Sequence, residues 1–141
     1  MVQNYILDTC IWRDYYADRL SNDNKPFGEY ATKLFIKILK SKEIILFSDI
    51  LIFELGKDYD ESEIQLMLDL LFYSGTLVKI EITKEEHLEA KDIATRRNLP
   101  LIDCLYAIQA RNHNAILVSQ DSHLRIDLAD ITKTKRPQDI I

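Results

Sequence analysis

Residues 99–121 read LPLIDCLYAIQARNHNAILVSQD, and their order decides the fold. Pro100 suits the first turn of a helix, because its fixed φ is helical and its missing N–H would have no partner there anyway. The helix it opens runs through Asn112 and carries Asp103 in its first turn. Ala115 to Ser119 follow as a short run, apolar on four consecutive residues. That reads as a strand buried on both faces, and it ends at Gln120-Asp121. A helix feeding a doubly buried strand is half of a βαβ unit, and the rest of the chain repeats the alternation.

Upstream, Thr83 with Glu86 three residues on forms a capping box that opens a helix reaching Asn98. Leu77 to Ile82 read as a strand, and DYDESEIQLMLDLLFYSG (58–75) as an amphipathic helix closed by Gly75. Glu43 to Ser48 is a strand, after which Asp49 is placed to cap a helix over Ile50 to Leu55 that carries Glu54. Phe27 to Ser41 is a helix with Ala31, Leu34, Phe35, Ile38 and Leu39 on one face and Lys33, Lys37 and Lys40 off it. SNDNKPFG (21–28) separates it from a helix over Ile11 to Leu20. Asn4 to Leu7 is the opening strand, with Asp8 at its end. The tail holds a weak strand candidate near Ile131 and a basic KTKR. Strands that alternate with helices and are apolar throughout imply an α/β fold. Its expected form is a central, mostly parallel sheet of four to five strands flanked by helices.

At 141 residues with 47% hydrophobic and 29% charged content, the chain supports one core and hence a single domain, 1–141. No charged start with an apolar run follows a secretory pattern, and no apolar stretch nears the ~20 residues of a membrane span. A cytoplasmic protein that does not enter the membrane is the expectation. Cys10 and Cys104 are too few and too far apart for a zinc or disulfide framework and are expected as thiols. The net charge of −5 argues against binding nucleic acid by bulk electrostatics. It leaves open a protein that brings phosphate in through metal ions.

Ligands of open parallel sheets bind outside the carboxyl ends of the strands. Asp8 and Asp121 both follow apolar strands, so both fall at that edge. Asp103, in a first helical turn, and Glu54, on a helix entered straight from a strand, could converge with them. Carboxylates brought together repel one another and raise one another's pKa unless a cation intervenes. An all-oxygen set without His or Cys of ligand spacing favours Mg²⁺ or Mn²⁺ over zinc. Each acid also has a plainer reading: Asp8 and Asp121 as turn or cap residues, Asp103 as a partner of the helix dipole, Glu54 as an exposed helical glutamate. The set carries the signal.

LDTCIW (7–12), the glutamate of ILIFELGK at Glu54, the block from Leu99 to Asp121 and the closing RPQDII together resemble a PIN domain. In size the chain resembles the single-domain toxins of VapBC toxin–antitoxin systems. The resemblance implies an endoribonuclease that hydrolyses RNA with Mg²⁺ or Mn²⁺, in which Asp8, Glu54, Asp103 and Asp121 match the acidic metal-binding positions. Asp8 and Asp103 would anchor the principal ion, with Glu54 and Asp121 completing its water shell or holding a second. Thr9 and Ser119 match supporting hydroxyl positions. Ser119-Gln120-Asp121 stands where Thr-Arg-Asp is usual, so one basic side chain beside the site is missing. The resemblance further implies a homodimer and a cognate antitoxin protein as partner.

Substrate contacts for single-stranded RNA need cations and aromatics. Arg13, Tyr15 and Tyr16, after Asp8, are candidates, as are Lys133, Lys135 and Arg136 in the tail. For the aromatics core packing is the plainer reading, and for the tail a solvated surface run. His87, His113 and His123 share no ligand spacing, although His123, two residues past Asp121, is placed to touch substrate. Rival functions are an aspartate-nucleophile phosphatase, which wants an acid where Cys10 stands, and a receiver-like signalling domain, which wants paired acids at the first strand end. A PIN-like module that binds RNA or a partner without cleaving is the third.

Overall fold

β1 (Asn4–Leu7) forms the middle of the sheet, and its side-chain alternation explains why both neighbouring layers exist. Tyr5 and Leu7 enter one hydrophobic core while Ile6 enters a second on the opposite face. β2 (Ile44–Phe47) and β4 (Ile116–Val118) repeat the pattern, with Ile45, Phe47 and Val118 on the first face and Leu46 and Leu117 on the other. Period-two alternation with both faces apolar produces the continuous apolar runs of the sequence.

The structure, a computed structural model, describes residues 2–141. The sheet has five strands in the order β3-β2-β1-β4-β5, adding β3 (Leu77–Lys79) and β5 (Thr134–Lys135), and every neighbouring pair is parallel. Helices α1 (Thr9–Ala17), α2 (Phe27–Lys40) and α4 (Glu61–Tyr73) cover the first face through Trp12, Leu34, Ile38 and Met67. Helices α5 (Lys84–Arg97) and α6 (Leu101–Asn112) cover the second through Ile93, Cys104 and Ile108. The short α3 (Asp49–Leu55) serves both, with Leu51 and Leu55 in the first core and Ile50 in the second. The architecture is the expected α/β/α sandwich. Among the described residues no helix is long and apolar enough to cross a membrane.

Several local expectations need correction. Ser48, not Asp49, caps α3: its backbone is extended and its Oγ accepts the Ile50 N–H at 3.2 Å, leaving Asp49 as the first helical residue. The last strand is Thr134–Lys135 and not near Ile131, because the N–H groups of Ile131 and Thr132 turn back to the Leu128 carbonyl. α1 starts at Thr9 and ends at Ala17, short of Leu20. Asp18 adopts a left-handed φ of 48°, and the Arg19 N–H folds back onto the Asp14 carbonyl at 3.1 Å. β3 stops at Lys79, an exposed edge where the Lys79 ammonium meets Asp49 at 2.9 Å. The Thr83–Glu86 capping box is present, with bonds of 3.0 and 3.1 Å in the two directions.

The strand order sets the site. From β1 the chain proceeds outward through β2 and β3 on one side, and β4 and β5 fill the other. Loops leaving β1 and β4 therefore diverge and open a crevice at their carboxyl ends.

Candidate active site

Asp8 leaves β1 as the residue before α1, and its N–H still donates to the Val118 carbonyl of β4 at 2.9 Å. Its carboxylate is nearly sealed from solvent. Ser119 Oγ donates to Asp8 Oδ2 at 2.7 Å, and the Cys10 thiol points at the same oxygen from 3.4 Å. The Ser119 hydroxyl also accepts the Asp121 N–H at 2.9 Å, so one fully buried group ties the two strand-end loops together. Burial pushes the Asp8 carboxyl up, the bonds from Ser119, Cys10 and the Thr9 N–H oppose this, and the nearby Asp121 charge adds to it.

Asp103 reaches the same crevice because α6 precedes β4 and returns through a tight turn, which brings its first turn to the carboxyl edge. Its carboxyl is pushed up to about 6 by burial and then by the charges of Asp8, Asp121 and Glu54, with His123 pulling the other way. Asp103 therefore feels the other three acids at once. Glu54 comes from α3 and is paired with the Lys57 ammonium at 2.8 Å. Thr9 Oγ1 lies 2.7 Å from the Tyr106 hydroxyl, a buried bond that pins the start of α1 to α6 one turn beyond Asp103. Burial, then the Asp8 charge, raises the Tyr106 hydroxyl far above its ordinary pKa, so it stays protonated.

The substrate candidates fall in different places. The Arg13 guanidinium donates to the Glu54 carbonyl at 2.9 Å and pairs with Asp58 at 3.0 Å, which makes it a strut between α1 and α3. Tyr16 stacks edge-on against Tyr59 and donates to Glu63 at 3.3 Å, joining α1 to α4. Tyr15 packs against Phe35. His123 begins a π-helical turn, His123–Asp127, its N–H donating to Asp121 Oδ1 at 2.8 Å and its ring paired with Asp127 at 2.8 Å. The hydrogen bond to Asp127 and the charge of Asp121 hold its pKa up. In the tail, Arg136 forms a two-pronged pair with Asp139.

One acid escaped the sequence reading. Asp14 is buried on α1, raised to about 6 by burial and by Asp8 although Arg19 pulls it down. With Asp8, Cys10, Arg19, Phe27, Gln120 and Asp121 it lines a cleft of about 260 Å³. The i, i+4 spacing of Cys10 and Asp14 puts them on one helix face, and that was the available signal. The Gln120 amide is locked in a reciprocal pair with Gln138, at 2.8 and 3.2 Å.

The donor chemistry fits a hard divalent cation: carboxylate oxygens from four elements, with the side-chain bonds from Ser119 and Cys10 both falling on Asp8 Oδ2. Among the described residues no three His, Cys, Asp or Glu side chains lie close enough together to hold a metal ion as they stand, so the acids border the crevice without forming a ready ligand set. Ser119→Ala tests the support directly. It leaves buried Asp8 without its shortest donor and is expected to lower stability by about 2 kcal/mol and ion affinity about tenfold or more, read by thermal melts and metal titration. Wild-type metal affinity in that variant would show the hydroxyl to be mere packing.

Comparison with known proteins agrees with the fold. No curated protein sequence matches the chain. A chain of the VapBC2 complex from Rickettsia felis, solved bound to a DNA fragment from their promoter, superposes with a TM-score of 0.60 at 20% identity, covering 95% of this chain and 97% of that one. PAE2754 from Pyrobaculum aerophilum superposes with a TM-score of 0.58 at 20% identity, covering 99% and 86%. At that identity the likeness speaks for the fold alone. Residues 5–127 match the PIN domain model, a span that includes Asp8, Glu54, Asp103 and Asp121, and the chain belongs to the PIN domain family.

Proposed function

We propose that the protein is an endoribonuclease that hydrolyses RNA phosphodiester bonds with Mg²⁺ or Mn²⁺. We further propose that it acts in the cytoplasm as a homodimer and as the toxin of a toxin–antitoxin pair. The observation that supports the nuclease reading is the placement of Asp8 and Asp121 at the carboxyl ends of β1 and β4, tied together by Ser119, with Asp103 and Glu54 near enough for their charges to be felt. Membership of the PIN family supports it, and the fold shared with a chain of the VapBC2 complex supports a protein antitoxin as partner.

Asp8 and Asp103 would hold the principal ion, with Glu54 and Asp121 acting through its waters or on a second ion. A bound divalent ion supplies a lower pKa for coordinated water and neutralises charge at the phosphate. Ser119 fixes the Asp8 carboxylate and the Asp121 loop in one geometry, so little reorganisation is left for the moment of reaction. The Thr9–Tyr106 bond keeps Asp8 and Asp103 at a set separation by joining their helices. His123 stands at the rim as a donor for substrate.

Incubation of purified protein with total RNA, with Mg²⁺, Mn²⁺ or EDTA, followed by mapping of new 5′ ends, tests the reading. Discrete cleavage with either ion and none in EDTA is expected. Cleavage in EDTA would remove the metal mechanism. Intact RNA alongside demonstrated ion binding would favour a PIN module that binds RNA or a partner without cutting.

A further inference from the structure

The ribonuclease reading brings an anion into a cleft walled by Asp8, Asp14 and Asp121, and an ion held by the acids offsets only part of that repulsion. The phosphate oxygens turned away from the ion still need a donor. Position 120 offers none with charge, since Gln120 is neutral and its amide is taken by Gln138. Arg13 is engaged with Glu54 and Asp58, and Lys57 with the Glu54 carboxylate. Among the residues lining the cleft, Arg19 is the one cation.

Its setting is that of a held but open donor. Arg19 Nε lies 3.6 Å from Asp14 Oδ1, beyond a good hydrogen bond, and the side chain is 52% exposed while Asp14 beneath it is buried. The backbone, by contrast, is tightly fixed. The Arg19 N–H donates to the Asp14 carbonyl at 3.1 Å and its carbonyl accepts the Gly28 N–H at 2.8 Å. Gly28 sits so close that a Cβ there would lie 2.5 Å from Asp18 Cα. The main chain is thus anchored, and the guanidinium makes no hydrogen bond among the described residues.

We propose that Arg19 is the side chain that takes hold of the substrate phosphate at the mouth of the cleft. Asp14 is a positioning residue that keeps the guanidinium over the cleft and off the ion-holding acids. The planar fork of arginine matches two phosphate oxygens at once, which a lysine cannot do.

The test is steady-state cleavage of a short single-stranded RNA that the wild-type protein cuts, measured over a range of KCl concentrations. Arg19→Ala is expected to raise KM about tenfold with kcat changed less than about threefold. The slope of log(1/KM) against log[KCl] should fall by about 0.7, the value for one single-strand phosphate contact. Arg19→Lys should keep the slope and recover KM only in part, and adding Gln120→Arg to Arg19→Ala should bring KM back down. Circular dichroism melts confirm that each variant is folded. If the wild-type protein cuts RNA and Arg19→Ala keeps both KM and slope, or loses kcat alone, this assignment fails by itself. If the wild-type protein leaves RNA intact with both ions, the ribonuclease reading fails and the assignment goes with it.

Discussion

Asp103→Asn should lower RNA cleavage by about 10³-fold or more in kcat/KM, some 4 kcal/mol of transition-state stabilisation, while making the metal-free protein harder to melt at neutral pH. The two effects have one origin. Asp103 is pushed up to about 6 from an ordinary 3.8 by burial and by Asp8, Asp121 and Glu54. A carboxyl whose folded pKa lies above its unfolded value binds protons more tightly in the fold. The stability it confers is therefore complete below about pH 4 and is lost as pH rises through 6. At pH 7 the ionised group works against folding unless a cation compensates, and an amide removes that penalty. In EDTA at pH 7 the variant's Tm is expected to exceed the wild type's by about 3 °C, a gain that shrinks toward zero near pH 4. Added Mg²⁺ or Mn²⁺ should raise the wild-type Tm far more than the variant's. Thermal melts across pH with and without metal read all three effects. A variant that melts below wild type in EDTA at pH 7 would mean that Asp103 holds the fold together and is not under electrostatic strain.

Gly28→Ala should destabilise the protein by about 3 kcal/mol, although alanine is the better helix former. The site lies in the first turn of α2, where a methyl group would meet Asp18 Cα and its carboxylate at 2.5 Å and its carbonyl carbon at 2.7 Å. Two of those three atoms are main chain and cannot swing aside. Helix propensity returns only about 1 kcal/mol, so the clash dominates, and a Tm drop of about 8 °C is expected. Moving Asp18 also moves Arg19, so KM for RNA should rise together with the loss of stability. An unchanged Tm would show that the α1–α2 loop yields freely and that the close approach has no structural weight.

The parts of the fold that were legible are those with local causes. The doubly apolar strands announced a buried parallel sheet, and the ends of β1 and β4 placed Asp8 and Asp121 at its carboxyl edge. The Thr83–Glu86 box and Gly75 announced their helix ends, because capping depends on residues three or four apart. Ser48 and Asp49 are both good caps, and only the end of β2 at Phe47 chose between them. Arg13 looked like a substrate contact because nothing near it in sequence reveals that α3 packs alongside α1. Asp14 escaped because nothing within α1 signals that it is buried, and the cleft it lines draws Phe27 and Gln120 from distant parts of the chain. The meeting of Glu54 and Asp103 with the strand-end acids likewise depends on where whole helices dock.

The Asp8–Ser119 hydrogen bond joins residues 111 positions apart in the sequence. A chain growing from its N terminus holds β1, β2 and β3 long before β4 exists, so until then Asp8 lies on an unpaired strand edge. Closing so long a loop is a late and slow event in folding. No partly folded species that lacks β4 can bring Asp121 up beside Asp8, so the crevice comes into being in the same step as the native topology. On the reading that these acids hold a divalent ion, its affinity would report the β1–β4 pairing and both cores together, because Ile6 and Leu117 fill one core while Leu7 and Val118 fill the other.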